Sequence, residues 1–200
     1  PRVATLAAER RGSRVRRAVR DLMAGLGFLE VVALALGNSG ELAEWLEPGE
    51  ELCILSNPVG KDADALRGSI LPGLLRVLSL NTHNPLPQRV FECGTTAVAI
   101  GEGAREELRA AAAITGYRVS FEEAHSAAYS LVYSLVNKET ALAEKKARTL
   151  IGGRSASILV DGREVGLVGE VSPDLLERLQ VFTPVAVFEV SLNKLLGEDV

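Results

Sequence analysis

The clearest structural signal in the chain is the stretch SASILVDGREVGLVGEV, residues 155–171. Asp161-Gly162 separates two runs rich in β-branched and other apolar residues. Both central residues of a type I′ turn need a positive φ, which Asp and Gly adopt readily, so the stretch predicts a β-hairpin. The residues that follow predict a short helix after Ser172-Pro173 and one more strand at residues 185–190.

Upstream of the hairpin, the sequence predicts further strands and a long first helix. From Arg10 to Leu26 apolar residues recur at spacings of three and four, which is typical of an amphipathic helix. Phe28 to Leu36 is a continuous apolar run and predicts a strand covered on both faces. Residues 90–100 and 108–116 predict two antiparallel strands joined by the polar turn at residues 101–103.

Several shorter helices are predicted from their capping residues. Ser39 is expected to cap a helix reaching Glu47, and Ser69 to cap a helix from residue 70 to about 81. Ser120 with Glu123 resembles a capping box that opens a helix to about residue 136. The first part of residues 137–151 is also predicted to be helical. The order of elements predicts an α+β fold, a mixed and mainly antiparallel sheet flanked by helices, in one domain spanning residues 1–200.

Composition and charge narrow the class of protein. The 200 residues are 47% hydrophobic and 24% charged, which fits a globular domain with a core. No run of about 18 apolar residues occurs, so a membrane span is not expected. The chain begins without Met and without a charged-then-apolar leader, and we expect an excerpt of a longer cytoplasmic polypeptide. Cys53 and Cys93 lie in apolar stretches and are expected to be buried free thiols.

The net charge of −4 conceals a concentration of positive charge at the start of the chain. Residues 1–20 hold seven arginines and one glutamate. Arg10, Arg14 and Arg17 fall on one face of the predicted first helix. Three interpretations stay open for that face: a solvated surface, contact with acidic residues of a partner subunit, or contact with RNA phosphates. For Arg154, a surface position and a subunit contact both stay open as interpretations.

The sequence offers little for other chemistry. His83 and His125 are the only histidines, and neither has a Cys, Asp or second His at a metal-ligand spacing, so no metal site is predicted. The segments Gly101-Glu102-Gly103 and Gly152-Gly153 lack the Gly-x-Gly-x-x-Gly or Gly-Lys-Ser pattern of a phosphate-binding loop and are expected to be turns. No Gly-x-Ser-x-Gly nucleophile motif occurs. Arg67 follows Asp62 and Asp64, which favours an internal ion pair over a role in ligand binding.

An ordered set of motifs resembles the β subunit of phenylalanyl-tRNA synthetase, and the archaeal and eukaryotic type most. The motifs are, in chain order, LGFLEV at 26–31, NPVG at 57–60, LRGSILPGLL at 66–75, Asn81, VFECG at 90–94, GRSASILVDG at 153–162 and VGLVGEVSP at 165–173. Each motif alone is weak, but their order is specific and covers nearly the whole chain.

The resemblance implies a class II aminoacyl-tRNA synthetase fold and a complex of two α and two β chains that charges tRNA(Phe) with phenylalanine. In that family the α subunit performs catalysis with ATP and Mg, while the β chain carries a related module that supports it. The resemblance also places the first helix at a subunit interface. For this chain it therefore implies an α subunit partner, a second β subunit and tRNA(Phe) reached through the complex.

The resemblance further implies that this module has no catalytic residue and binds no cofactor. The segment corresponding to class II motif 3 is FEVSLNKL at residues 188–195, where catalytic relatives resemble Phe-Gly-x-Gly-x-Glu-Arg-Leu. Glu189 and Ser191 stand where glycines leave room for a nucleotide, and Lys194 replaces the planar guanidinium that lies against adenine. We expect the Glu189 carboxylate to fill the cleft and repel a nucleotide. Residues 95–98, directly after Gly94, supply no arginine for a phosphate.

These observations leave three functions to compare. The first is a non-catalytic synthetase-like domain that packs on a catalytic subunit. The second is a free-standing adenylate-forming ligase, and the third is a tRNA-binding module that acts through the N-terminal arginine helix.

Overall fold

The computed structural model describes residues 9–58, 60 and 62–197. Val59 of the motif at residues 57–60 and the first eight residues therefore lie outside the described part of the chain. The helices are α1 (Arg11–Gly25), α2 (Ser39–Ala43), α3 (Leu71–Leu80), α4 (Phe121–Val136), α5 (Pro173–Arg178) and α6 (Leu192–Leu196). The strands are β1 (Leu29–Glu30), β2 (Leu36–Gly37), β3 (Glu51–Leu52), β4 (Ala65–Leu66), β5 (Gln88–Ile100), β6 (Gly103–Thr115), β7 (Ala141–Glu144), β8 (Leu150–Val160), β9 (Arg163–Val171) and β10 (Val185–Ser191).

One sheet organises the domain. Its strand order is β1-β5-β6-β10-β9-β8-β7, and β3 pairs with β5 beside β1. Only the β1–β5 pair is parallel, and the other pairs of this sheet are antiparallel. Strands β2 and β4 form a separate two-stranded sheet. The predicted α+β fold, with a mixed and mainly antiparallel sheet flanked by helices, is confirmed.

The two faces of the sheet carry different cores because successive strand residues point to opposite sides. On one face Phe91 and Phe188 join residues of α1 and α4 in an apolar cluster. On the other face Val90 and Val187 join residues of α3 and α5 in a second one. This second face also bears the buried charged side chains described below, whereas the first is apolar.

The Asp161-Gly162 hairpin is confirmed. Both residues have positive φ, 50° and 76°, and they join β8 to β9. The predicted strand pair before it is also present, and it is longer than the sequence indicated because β5 and β6 pair from Gln88–Thr115 to Ile100–Gly103. Helix α1 agrees with its prediction within one residue at each end.

The prediction for Phe28 to Leu36 is wrong. Only Leu29–Glu30 and Leu36–Gly37 are strand, and Val32 and Leu34 are 81% and 84% exposed. The main chain between these strands is held by other groups: the Ala33 N–H donates to a Glu92 carboxylate oxygen (3.1 Å). Several apolar side chains of this run are therefore exposed, and the segment is not covered on both faces. Val32, Leu34 and Leu36 form what we call the apolar ridge.

Three capping predictions and one helix prediction need correction. Helix α2 is capped by Asn38, whose side chain accepts from the Glu41 N–H, while Ser39 donates to Asp64. Helix α4 begins where predicted, but Ser120 makes no side-chain cap. In residues 137–151 the structure has strand β7 rather than a helix, because this segment pairs with the edge of β8.

Ser69 is not the N-cap of α3, which is Ile70, although its hydroxyl accepts a hydrogen bond from the Leu71 N–H (3.2 Å). Both cysteines are free thiols, as predicted, but only Cys93 is buried. Burial raises the pKa of Cys93 to about 11, which keeps it protonated and unreactive. Among the described residues, no helix has the length and apolar character that a membrane crossing requires.

Candidate functional site

Two buried glutamates lie in one row across the charged face of the sheet. Ala111 of β6 pairs with Glu92 of β5 on one side and with Glu189 of β10 on the other. Both carboxylates are almost fully buried, at 3% exposure each. A buried charge needs a partner, so the environment of each glutamate defines what this face can do.

Glu189 is enclosed by groups from two other segments. Its Oε1 accepts hydrogen bonds from the Ile70 N–H (2.6 Å) and the Ser69 hydroxyl (3.2 Å). Its Oε2 accepts from Nη1 of Arg109 (3.0 Å). Both carboxylate oxygens are therefore bound within the domain, one at the start of α3 and one by a neighbouring strand.

Arg109 connects Glu189 to a second carboxylate. Its Nη2 lies 3.1 Å from Glu107 Oε2, so one guanidinium bridges two buried glutamates. Burial alone would lower the pKa of Arg109, but the charges of Glu189 and Glu107 raise it. For Glu107, burial would raise the pKa, and the Arg109 charge together with the Ser191 hydroxyl lowers it below the ordinary value of 4.5. Glu189, Arg109 and Glu107 form what we call the closed cluster.

The other two residues of the motif 3 segment have different positions. Ser191 is buried, and its hydroxyl caps α6 by accepting from the Lys194 N–H (3.2 Å). The Lys194 side chain is exposed, near enough to Glu107 to lower the pKa of that carboxyl. Of the three residues singled out in this segment, the structure places Glu189 and Ser191 within the buried face and Lys194 at its margin.

A further layer of ion pairs lies at the margin of the closed cluster. Lys145 bridges Glu47 (2.9 Å) and Glu164 (2.6 Å), and Arg105 pairs with Glu50 (2.9 Å). Burial would lower the pKa of Lys145, but its hydrogen bonds to the two carboxylates raise it. These pairs tie residues 47–50 to the strands beside them.

Glu92 binds Arg67, which corrects the predicted ion pair of Arg67 with Asp62 and Asp64. The Arg67 Nη2–Glu92 Oε1 distance is 2.6 Å, and Arg67 Nε donates to the Thr95 carbonyl (3.2 Å). Asp64 instead accepts from Ser39. Sequence proximity favoured the aspartates, but the strand register brings Glu92 to the guanidinium. Arg67 and Glu92 form what we call the open cluster.

Gly94 provides the space for this pair. A Cβ at that position would lie against Arg67 Nη2 and 2.7 Å from Glu92 Oε1, so the guanidinium occupies the room that a side chain would need. The turn from Arg67 to Ile70 runs from the open cluster to the closed one, because Arg67 binds Glu92 and Ile70 binds Glu189. It therefore spans the position of Ala111, which lies between the two glutamates.

The arginines predicted to contact a partner lie apart from this face. Arg10 and Arg14 are exposed at the start of α1, and Arg17 is paired with Glu9 while its side chain remains 69% exposed. Arg154 pairs with Glu170 and is 62% exposed. The structure does not bring these four residues together with either cluster.

Sequence reasoning missed the groups that occupy the charged face. Residues 95–98, directly after Gly94, supply no arginine, yet Arg67 and Arg109 reach the face from other segments. Arg109 and Glu107 could have been found: in the strand ELRAAAA they are two residues apart and so point to one side among small apolar neighbours. Within the described ranges, no group of three His, Cys, Asp or Glu side chains is placed to hold a metal ion.

Comparisons with known proteins give the chain's relatives. The family model described as "Phenylalanyl tRNA synthetase beta chain CLM domain" matches residues 1–192. A phenylalanine–tRNA ligase β subunit from Borrelia garinii is 35% identical over 187 residues, covering 92% of this chain and 33% of the relative. The β subunit of Korarchaeum cryptofilum is 37% identical over 184 residues, covering 90% of this chain and 33% of the relative. The β subunit of Pyrococcus abyssi is 37% identical over 183 residues, covering 89% and 33%.

Among solved structures, the pyrrolysyl-tRNA synthetase PylSc of Desulfitobacterium hafniense has a similar fold. Its TM-score is 0.77 at 18% sequence identity, and the match covers 96% of this chain and 70% of that one. This likeness confirms the fold. The chain spans about a third of the length of the curated relatives it matches.

Proposed function

The chain belongs to the phenylalanyl-tRNA synthetase β-chain family, and from that premise we propose that it is a non-catalytic, synthetase-like module of a phenylalanine–tRNA ligase. In this proposal it is one domain of a longer β subunit in the cytoplasm, packs on the catalytic α subunit and supports aminoacylation of tRNA(Phe). The complete assembly contains a second β subunit, and its α subunits use ATP and Mg.

The closed cluster is the observation that carries the non-catalytic part of the proposal. A nucleoside triphosphate needs positively charged side chains that are not already paired, so that they can bind its phosphates. It also needs a cleft that side chains do not fill. Here the Arg109 guanidinium is shared between Glu189 and Glu107, and the turn at residues 69–70 donates to the Glu189 carboxylate. The groups that would recognise a phosphate are bound to carboxylates of the same domain.

Calorimetry tests this directly. The purified chain titrated with ATP and Mg, and separately with phenylalanine, is expected to give no binding heat. Micromolar affinity for either ligand would contradict the proposal. Pyrophosphate exchange by the chain alone would instead favour a free-standing adenylate-forming ligase.

The apolar ridge supports the proposed contact with the α subunit. Val32 and Leu34 are more than four-fifths exposed, although the main chain beneath them is held by a buried carboxylate. Clustered exposed apolar side chains mark interaction surfaces more often than isolated ones do. Their position directly after α1 and β1 agrees with the interfacial role that the family resemblance implies for this part of the chain.

Light scattering of the full-length β chain mixed with its α subunit tests the partnership. Wild type is expected to form a complex with the mass of two α and two β chains. Leu34→Asp should prevent that complex, because it places a charge on the ridge. Tyr117→Asp is the matched control, since Tyr117 is 83% exposed but lies outside the ridge and should not affect assembly.

A second function, direct tRNA contact, is favoured by the exposure of Arg10 and Arg14. Their side chains can contact phosphates or acidic groups of a subunit, and Arg17 and Arg154 are also largely exposed, although each is paired with a glutamate. RNA binding would weaken steeply with salt and fall on combined Arg10→Ala and Arg14→Ala substitution. Loss of α association by the same variant, with RNA binding unchanged, would assign the arginines to the subunit interface instead.

A further inference from the structure

Residues 44–50, which join α2 to β3, are attached to the rest of the domain by their side chains. Within the described part of the chain, every main-chain hydrogen bond of these residues stays inside the segment or goes to α2 and its end. The Trp45 N–H donates to the Leu42 carbonyl (3.1 Å), and the Glu50 N–H donates to the Glu47 carbonyl (3.0 Å). We call this segment the ionic strap.

The ionic strap carries a glutamate at every third position, and each glutamate binds a cation on a different element. The Arg178 guanidinium donates two hydrogen bonds to the Glu44 carboxylate (2.8 and 2.6 Å). The other two pairs are Lys145–Glu47 and Arg105–Glu50, both with a nitrogen–oxygen distance of 2.9 Å. The ionic strap is therefore bound to α5, to the residue after β7 and to β6.

Two apolar side chains of the ionic strap add contacts between these ion pairs. Trp45 packs against the apolar cluster that contains residues of α3 and α5. Leu46 lies over Gly68, where an added Cβ would collide with Leu46 Cδ2. Gly68 belongs to the turn from Arg67 to Ile70, which binds the Glu189 carboxylate. The ionic strap is thus an outer cover over the turn that closes the sheet face.

Both ends of the ionic strap are fixed independently of its ion pairs. Leu42 before it is buried, and Glu51 after it pairs with Ala99 of β5. Gly49, whose φ is +88°, provides a bend in which a side chain would be strained. A segment with no main-chain bonds to the sheet opens at a lower free-energy cost than the whole domain. The ionic strap can therefore lift between its two ends without unpairing the sheet.

Dissolved salt can reach the ion pairs of the strap but not those of the two clusters. One side chain in each strap pair is more than a third exposed: Arg178 at 58%, Arg105 at 41% and Glu47 at 35%. In the Arg109–Glu189 and Arg67–Glu92 pairs no side chain exceeds 11%. The screening length falls from about 10 Å at about 0.1 M salt to about 3 Å at about 1 M, and buried pairs are screened much less. Salt therefore weakens the attachment of the strap selectively.

We propose that the ionic strap is a salt-responsive cover: at raised ionic strength residues 44–50 lift together from the charged face, while the sheet and the closed cluster stay folded. Lifting separates Arg105, Lys145 and Arg178 from their strap glutamates and uncovers the turn at residues 67–70. The inference goes beyond the proposed function and does not depend on it, since every group it uses lies within this domain.

Hydrogen exchange of the full-length protein, measured by mass spectrometry on peptides that cover residues 44–50, tests the inference. Raising the salt concentration from about 0.1 M to about 1 M should speed exchange of the Trp45 and Leu46 amides about tenfold, because their exchange follows the opening equilibrium. Peptides from α4 should keep their rates. Equal strap exchange at both salt concentrations would overturn the inference. An equal acceleration in α4 would also overturn it, because the opening would then be global unfolding.

A triple variant removes the three strap charges with little change of side-chain size: Glu44→Gln, Glu47→Gln and Glu50→Gln. Its strap peptides should exchange about tenfold faster than those of wild type at low salt and should lose their dependence on salt. The matched control makes the same change of net charge at three exposed glutamates outside the strap: Glu102→Gln, Glu106→Gln and Glu144→Gln. Its strap peptides should exchange at the wild-type rate.

A folded triple variant that keeps the wild-type salt dependence would overturn the inference, because the ion pairs would then not hold the strap. If the triple variant folds poorly, the comparison of wild type at the two salt concentrations still decides between the outcomes.

Discussion

The open and closed clusters occupy the same face of one sheet, on either side of Ala111, yet they differ in what completes them. In the closed cluster Glu189 is satisfied by Arg109 and by the start of α3, all within the domain. In the open cluster Glu92 is satisfied by Arg67 and Ala33, but Arg67 keeps one buried nitrogen without a partner among the described residues. Burial of charge alone therefore does not identify a binding site. The distinction lies in whether every donor and acceptor is used internally.

The largest expected effect comes from opening the closed cluster. Glu189→Ala should lower the free energy of unfolding by about 3–5 kcal/mol, because it leaves the buried Arg109 and the Ile70 N–H without their acceptor. Glu189→Gln should cost less, since the amide oxygen can still accept from Ile70. Urea denaturation measures both, with Glu106→Ala on the exposed side of β6 as a control that stays within about 0.5 kcal/mol of wild type. Equal stability of Glu189→Ala and wild type would mean that the cluster does not hold the turn at residues 69–70.

Gly94→Ala should produce the next largest effect, by disturbing the open cluster. The new Cβ would lie 2.7 Å from Glu92 Oε1 and against the Arg67 guanidinium, and such overpacking costs about 1–3 kcal/mol. Gly152→Ala is the matched control, because a Cβ at Gly152 meets nothing within 4 Å and φ is not positive there. Thermal unfolding compares the two variants. A loss that is as large for Gly152→Ala would show that backbone freedom, not the displaced guanidinium, is responsible.

Acidification should weaken the closed cluster by a smaller amount. The folded-state pKa of Glu107 lies below 4.5, although burial opposes this, because the Arg109 charge favours the carboxylate. A carboxyl with a lowered pKa adds stability that is present above its unfolded pKa and is lost as the pH falls through the folded pKa. Unfolding free energies at about pH 5 and about pH 3 should therefore differ more in wild type than in Glu107→Gln. Identical pH dependence of the two proteins would show that Glu107 does not contribute to the loss of stability in acid.

The smallest effect on folding is expected at the apolar ridge. Leu34→Ser should change the free energy of unfolding by no more than about 0.5 kcal/mol, because this side chain is 84% exposed in the isolated domain. The same variant should impair assembly with the α subunit. Calorimetric unfolding of the isolated chain, beside light scattering of the mixture, separates the two quantities. A loss of several kcal/mol would mean that the ridge packs within the domain rather than facing a partner.

Local sequence was sufficient for much of the fold and for part of the candidate site. The Asp161-Gly162 hairpin and the helix of residues 121–136 follow from short-range rules, since a turn and an amphipathic period depend on neighbouring residues. Glu189 stood out because the resemblance to class II motif 3 places a glycine at its position in catalytic relatives. The partners of Glu189 and Arg67 could not be predicted, because pairs between distant strands depend on strand register, which is set by the whole sheet.

Exposure was the other quantity that local sequence could not supply. Residues 28–36 have the composition of a doubly covered strand, and hydropathy is the same whether an apolar side chain faces a core or a partner molecule. The segment 137–151 was misassigned for a related reason. Strand β7 has all four residues exposed and is defined by its pairing to β8, not by an alternating pattern of its own.

The turn from Arg67 to Ile70 limits which substitutions could open a nucleotide cleft in this domain. Because the turn lies across the sheet face and is bound to a carboxylate at each end, replacement of Glu189 by glycine would leave the obstruction in place and an unmatched guanidinium beside it. Arg109 and the turn itself would also have to change before a nucleotide could enter. The first replacement would be destabilising by itself, because it leaves a buried charge without its partner, so folding opposes this route from its first step.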